Sequence, residues 1–291
     1  TGKQIGEAEN TGRGSEANFR TNVVEVQGGG HLKVAAGGDV VGGTFYSGRG
    51  DAEIAAAGAI RASAANNGIG TVLALGDSRF ALKAGDGIEL GAAINPTVLH
   101  DARSRNYFFT YGADSGIELQ ALSGDVTLQN DIAGLIDAVN ARRPAASQIK
   151  FPGVSQEALT VYPASLNVAA LQGDIVFGQS FVTYPSAKAD FSLLAGGDIT
   201  TGRNGNNVNI TQSDADPTLL PSVASPATSW EDAFQRLQPF GDANLIHART
   251  PIHRGDTIPA TLWAGGSIRS SDPLLFSLAE AANVQAGKDL L

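Results

Sequence analysis

The sequence predicts an all-β chain of the stacked β-solenoid class, and three observations lead there. One phrase keeps returning: Val34-Ala35-Ala36-Gly37-Gly38-Asp39-Val40, then 193–199 as Leu-Leu-Ala-Gly-Gly-Asp-Ile, then 262–268 as Leu-Trp-Ala-Gly-Gly-Ser-Ile. A second spelling is Ala121-Leu122-Ser123-Gly124-Asp125-Val126 and its copy at 170–175, and weaker copies sit at 57–60, 75–77, 84–88 and 286–290. Each copy joins an alternating apolar run to glycine, Asp and a branched residue that starts a new run. Period-two alternation is strand chemistry. Glycine permits a positive φ, and Asp suits a tight corner by bonding its own backbone. Close copies recur about every 20–25 residues, the spacing of a repeat that must stack on its neighbours to bury its apolar face.

The elements follow in order. Residues 1–22 are polar, Gly-rich and without period, which predicts an extended lead-in. Residues 23–63 carry two tiers of strands at 23–26, 32–34, 40–41 and 52–54. Strands are expected at 71–75, 80–82 and 88–90. Residues 95–116 leave the pattern at Asn95-Pro96, a turn signal, and include the aromatic run Tyr107-Phe108-Phe109-Thr110-Tyr111. Residues 117–128 resume it. An insertion at 129–158 holds a helix near 130–143, capped by Asn130, with Ile132, Leu135, Ile136 and Val139 on one face and Arg142, Arg143 and Pro144 at its end. Tiers return over 159–200. A second insertion, 201–258, opens a helix near 228–238 with the capping box Thr228-Ser229-Trp230-Glu231, and Gly241 ends it. Two tiers close the chain at 259–291.

Composition narrows the function classes. The net charge of −9 argues against nucleic acid and anionic membrane surfaces. With no Cys there is no disulfide framework or thiolate metal site. The lack of Met reads as a piece of a longer protein, and no apolar run is long enough to span a membrane. The expected organisation is a single β-solenoid domain over residues 1–291.

The repeated phrases resemble those of filamentous haemagglutinin-like large exoproteins, the secreted partners of two-partner secretion systems in Gram-negative bacteria. Two longer stretches carry the resemblance further: 42–50, Gly-Gly-Thr-Phe-Tyr-Ser-Gly-Arg-Gly, and 250–257, Thr-Pro-Ile-His-Arg-Gly-Asp-Thr, leading into Leu262-Trp263-Ala264. It covers roughly residues 23–291. It implies a right-handed parallel β-helix, passage through an outer-membrane transporter, display on the cell surface, and adhesion to host cells or biofilm. The partner would be a host-cell receptor or an extracellular polysaccharide. No catalytic residue or cofactor is implied.

Candidate binding residues are few. Arg49-Gly50-Asp51 and Arg254-Gly255-Asp256 are Arg-Gly-Asp tripeptides suited to a cell-surface receptor, although Gly-Asp is also this chain's corner, and 255–258 has the look of one. Tyr107 and Tyr111 could stack on sugar rings, but neighbours in an aromatic run cannot all share one face, so packing is the plainer reading. Trp263 lies between inward Leu262 and Ala264, hence points outward, either as a ligand contact or beneath the second insertion, and Leu194 in the matching place favours a covered apolar strip. His247 and His253, with Asp242 and Asp256 nearby, lack a third ligand, and Asp214-Ala215-Asp216 begins no calcium loop, so no metal is expected. No enzyme motif stands out. Two other classes stay open: a polysaccharide-active enzyme, marked by acidic and basic side chains converging away from the corners, and a pure spacer of a toxin-delivery exoprotein.

Overall fold

The computed structural model describes residues 30–64, 68–98, 108–141, 144, 160–202, 207–227, 230–241, 245–249, 251–270 and 272–291. The expected lead-in and the first predicted strand, 23–26, lie outside them. In chain order the strands are β1 (Leu32–Ala36), β2 (Val40–Val41), β3 (Thr44–Ala56), β4 (Ile60–Arg61), β5 (Thr71–Ala84), β6 (Ile88–Ile94), β7 (Gly116–Ala121) and β8 (Val126–Leu128). They continue as β9 (Val161–Tyr162), β10 (Ser165–Ala170), β11 (Ile175–Phe177), β12 (Phe181–Thr183), β13 (Phe191–Ala195) and β14 (Ile199–Thr201). Last come β15 (Val208–Gln212), β16 (Ala260–Ala264), β17 (Leu274–Ser277) and β18 (Ala282–Ala286). Two short helices, α1 (Ile132–Asn140) and α2 (Trp230–Gly241), are the α-helices among the described residues.

The chain is mostly β, and its parallel sheets curl into a half-barrel. Corresponding parts of successive repeats pair in parallel. The strand before each corner builds one row, β1, β3, β5, β7, β10, β13, β16 and β18. The residue after the corner builds a second, from Val40 through Ile60, Ile88, Val126, Ile175, Ile199 and Ile268 to Leu290. A third holds β9, β12, β15 and β17. Register explains the alternation. Val34, Ile54, Leu82, Leu119, Val168, Leu193, Leu262 and Val284 stand in one inward file, and the next inward file is alanine in every tier, Ala36 to Ala286. Full burial of one such Leu, Ile or Val is worth about 1.5–3 kcal/mol, so the stacked files supply the core. Only alanine recurs beside the corner, where the chain turns back on itself.

The corners work differently from the expectation. None of the glycines directly preceding Asp39, Asp125, Asp174, Asp198 or Ser267 has a positive φ. After the first tier, glycine is needed there because the tiers approach closely. A Cβ on Gly85, Gly173, Gly196, Gly265 or Gly287 would collide with a backbone carbonyl oxygen of the tier before, and one on Gly58, Gly197 or Gly266 would strike the carboxylate of that tier's corner Asp. Nor do these carboxylates bond their own backbone. Asp125 Oδ1 accepts from the amide of Asp174 (2.8 Å), Asp174 Oδ1 from that of Asp198 (2.7 Å), and Asp198 Oδ1 from that of Ser267 (2.7 Å). Ser267 Oγ then takes the amide of Asp289 (3.3 Å). The Gly-Asp phrase is therefore a ladder between tiers. At its start, Asp39 accepts from Arg61 Nε (2.7 Å) and the Ala59 amide (3.0 Å), and both hold its carboxyl below the usual range. Asp198→Ala is expected to lower stability by about 1.5–2 kcal/mol, the worth of a hydrogen bond to a charged acceptor, and Asp198→Asn by less because the amide oxygen still accepts. Equal losses in urea denaturation would remove the ladder's energetic role.

Other expectations are corrected. Leu75-Gly76-Asp77 is no corner: β5 runs straight through it, and Gly76 serves close approach to Gly48 O. The second insertion starts after 212 rather than at 201, because β15 pairs with β12 and β17. Its Asn-rich approach disguised the alternating Val208 and Ile210. Helix α1 is capped by Asp131, whose Oδ1 accepts from the Gly134 amide (2.9 Å), while Asn130 takes a left-handed φ of 50° and donates to Ser180 O (2.9 Å). Thr228, Arg142 and Arg143 lie outside the described residues. Helix α2 ends at Gly241 as expected.

Candidate functional site

Among the described residues, nothing covers the outer face of the first row along its length. Two outward files run along it, one from Lys33 through Glu53, Ala81, Glu118, Asn167, Ser192 and Thr261 to Asn283, and none of these residues is buried. At the N-terminal tiers this face sinks into a shallow groove of 410 Å³ lined by Lys33, Asp51, Glu53, Arg79, Lys83 and Glu118. Its charges alternate across tiers: Glu53 sits 4.0 Å from Lys33 and 3.9 Å from Lys83. Of these the sequence reading singled out Asp51 and missed the rest. Counting back three places from each corner alanine finds Lys33, Glu53, Ala81 and Glu118.

The first Arg-Gly-Asp opens onto the same face. Arg49 and Asp51 are exposed, two residues apart on one strand, with Gly50 at φ +94° between them. Arg49 lies 4.0 Å from Asp77, its register partner, and Asp51 lies 4.0 Å from His31. The second tripeptide is not a tier corner. Arg254, Gly255 and Asp256 form an exposed turn ahead of β16, and the corner of that tier is Gly265-Gly266-Ser267. Asp256 bends back to hold His253 Nδ1 at 2.7 Å.

Trp263 points outward as expected and is 39 % exposed, beside Leu194 at 38 %. The covered strip predicted there is an open one. Tyr111 is buried, its hydroxyl donating to Val161 O (2.9 Å) and its ring stacked on Phe109 at 6.0 Å. Phe109 meets Tyr184 and Phe240 at 5.3 and 5.7 Å, so the aromatic run docks the second insertion onto the tiers. Burial raises the Tyr111 phenol, and it pushes that of Tyr184 up to about 12. Tyr107 lies outside the described residues. No family model, curated protein or solved structure matches this chain.

His253 pairs with Asp256, the neighbour its spacing offered, while His247 finds a partner that spacing did not suggest. His247 Nδ1 stands 2.7 Å from Oδ1 of buried Asp214, and Asp216 caps the 3-10 turn Pro217–Leu219 through the Thr218 amide (2.9 Å). Asp242 lies outside the described residues. His253 is buried against Asp256, and Glu280 completes a group whose ligand-type atoms all lie within 4.8 Å. Glu280 Oε1 accepts from Nε2 of fully buried Gln212 (2.7 Å), whose own oxygen takes the Ala279 amide (3.2 Å). Burial raises the Glu280 carboxyl, with the Gln212 bond and His253 acting in the opposite sense. Sequence distance hid Glu280, which β17 brings to the site after pairing with β15.

Proposed function

We propose that this chain is a right-handed parallel β-helix segment of a secreted bacterial surface adhesin, acting by binding and not by catalysis. The parallel pairing of like parts of successive repeats supports the helical path, since parallel crossovers are overwhelmingly right-handed. One observation carries the binding reading: an outer face, left open by the described residues along eight tiers, that presents charges of both signs with Arg49 and Asp51 at its N-terminal end and Leu194 with Trp263 toward the other. Its corner carboxylates are taken up by amides of the next tier, which leaves them a scaffold role. The recurrent phrases and the two longer stretches shared with filamentous haemagglutinin-like exoproteins point to surface display.

A polysaccharide-active enzyme is the second reading, because Glu53 and Glu118 share a groove with Lys33, Arg79 and Lys83 away from every corner. Against it, the Glu53, Lys33 and Lys83 side chains are 40 % or more exposed and neutralise one another across tiers, the pattern of a solvated ladder. A glycan array paired with a reducing-end release assay tests the proposal. Binding to polysaccharide without release is the expected result, weakened by Trp263→Ala or by joint Arg49→Ala and Asp51→Ala. Released sugar ends would establish the enzyme, and no binding to glycans or host cells would leave a spacer.

A further inference from the structure

We propose that Leu122, Leu171, Leu194 and Trp263 form a binding platform for an uncharged polysaccharide, which rests on the binding reading of the outer face and names the ligand class of that face. Register brings the four together. Leu194 and Trp263 are partners in β13 and β16, in the second outward file. Two places further along the strand, at the corner, Leu122 and Leu171 stand in the two tiers before them, where the Leu122 amide donates to Ala84 O and the Leu171 amide to Ala121 O. Gly196 and Gly265 hold the same place in the next two tiers. Exposed Gly196 therefore leaves bare backbone beside Leu171, Leu194 and Trp263. The indole lies along its own strand over Gly265, with Cη2 3.4 Å from where a Cβ there would sit.

Packing does not account for leucine at the corner. The other six tiers have glycine or alanine there, and a leucine half in water contributes little to the fold. Single exposed leucines are ordinary, but Leu122 and Leu171 stand in adjacent tiers and continue into Leu194 and Trp263. A contiguous apolar patch of that kind marks a surface that meets a partner.

Charge and size decide the partner. From β10 to β18 neither outward file holds a charged residue: Asn167, Ser192 and Thr261 stand beside Ala169, Leu194 and Trp263. Carboxylates at the margins are engaged, since Asp190 accepts from Asn167 Nδ2 (3.0 Å), and Asp174 and Asp198 take the amides of the next tier. A charged ligand would lose hydration here without meeting an opposite charge, whereas an uncharged one complements the surface. The four side chains, at most about 250 Å² each and 38–50 % exposed, present under about 500 Å², short of the about 800 Å² per partner that a second copy would need. A sugar chain fits both limits. Each pyranose sets an apolar C–H face on the indole and leucines and turns hydroxyls toward Ser192 and Thr261. Neighbouring strands lie about 4.8 Å apart, comparable with the advance of one pyranose in an extended chain, so a chain running up the row meets a new tier with each sugar.

The test runs the full chain in affinity electrophoresis, with hydroxyethyl cellulose, galactomannan and laminarin as uncharged probes and alginate and polygalacturonate as acidic ones. Retardation by at least one uncharged probe and by neither acidic one is expected. Trp263→Ala, and Leu171→Ser combined with Leu194→Ser, should each weaken binding at least about tenfold, while Leu275→Ala, at an exposed leucine of the third row, leaves it unchanged. Far-UV circular dichroism checks that the variants keep their strands. Binding confined to the acidic probes, or undiminished binding by the folded variants, overturns the platform and leaves the adhesin reading standing. Retardation by no probe, in a chain that still binds host cells, has the same meaning, and binding to neither overturns both. A dimer that Trp263→Ala dissociates, or capture by phosphatidylcholine vesicles, would give the strip to a second copy or to lipid and end the proposal.

Discussion

Gly265→Ala is expected to cost about 3 kcal/mol or more, while Gly37→Ala changes stability by less than about 0.5 kcal/mol, although both glycines follow the same alanine in the same phrase. The difference lies in what is stacked beneath. A Cβ on Gly265 would collide with the carbonyl oxygen of Gly196, and neither backbone can retreat without opening the ladder that joins Asp198 to Ser267. A Cβ on Gly37 meets nothing within 4 Å. Backbone propensity predicts the same small gain for the two, so the contrast isolates tier-to-tier approach. Urea midpoints followed by far-UV circular dichroism give the comparison. Equal shifts for the two variants would show that the corner glycines serve the turn itself and not the stack.

Phe177→Ala should lose about 3–5 kcal/mol, the cost of deleting a buried aromatic ring and leaving its cavity. Phe177 is fully buried in β11, tilted against Phe181 at 6.1 Å and edge-on to Phe276 at 5.9 Å, while Phe181 stacks on Tyr162 at 4.2 Å. These rings fill the interior between the second and third rows, so the void cannot collapse without moving several strands. Trp263→Ala removes a larger ring from the outer face and should cost less, about 1–2 kcal/mol, because that side chain is 39 % exposed and truncating it leaves no enclosed cavity. If Trp263→Ala destabilised as much as Phe177→Ala, the outer face would be covered rather than open, and the binding surface proposed there would vanish.

The two results bear on function together. Stability resides in the interior files and the corner ladder, so the outer residues are free to vary without unfolding the chain. A face of that kind suits recognition, and its charged and apolar halves are separable by mutation. Acidic corner residues, by contrast, combine with next-tier amides and are poor choices when searching for chemistry.

Much of this was determined by the sequence alone. The alternation of apolar and polar residues in runs such as Leu166-Asn167-Val168, the alanine before each corner and the branched residue after it fixed which faces turn inward, because a strand's period of two admits only one register that buries the apolar set. The outward direction of Trp263 and the helical insertions followed from the same periodicities. Tertiary structure decided what lies between repeats. That glycine is there for close stacking and Asp for the next tier's amide depends on atoms of the neighbouring tier, up to 69 residues away, a distance local chemistry cannot register. The same holds for the Asp214 partner of His247, for the approach of Glu280 to His253, for the groove assembled from five strands, and for the burial of Tyr111. A side chain's own sequence tells which way it points, and only the stacked neighbour tells what it meets.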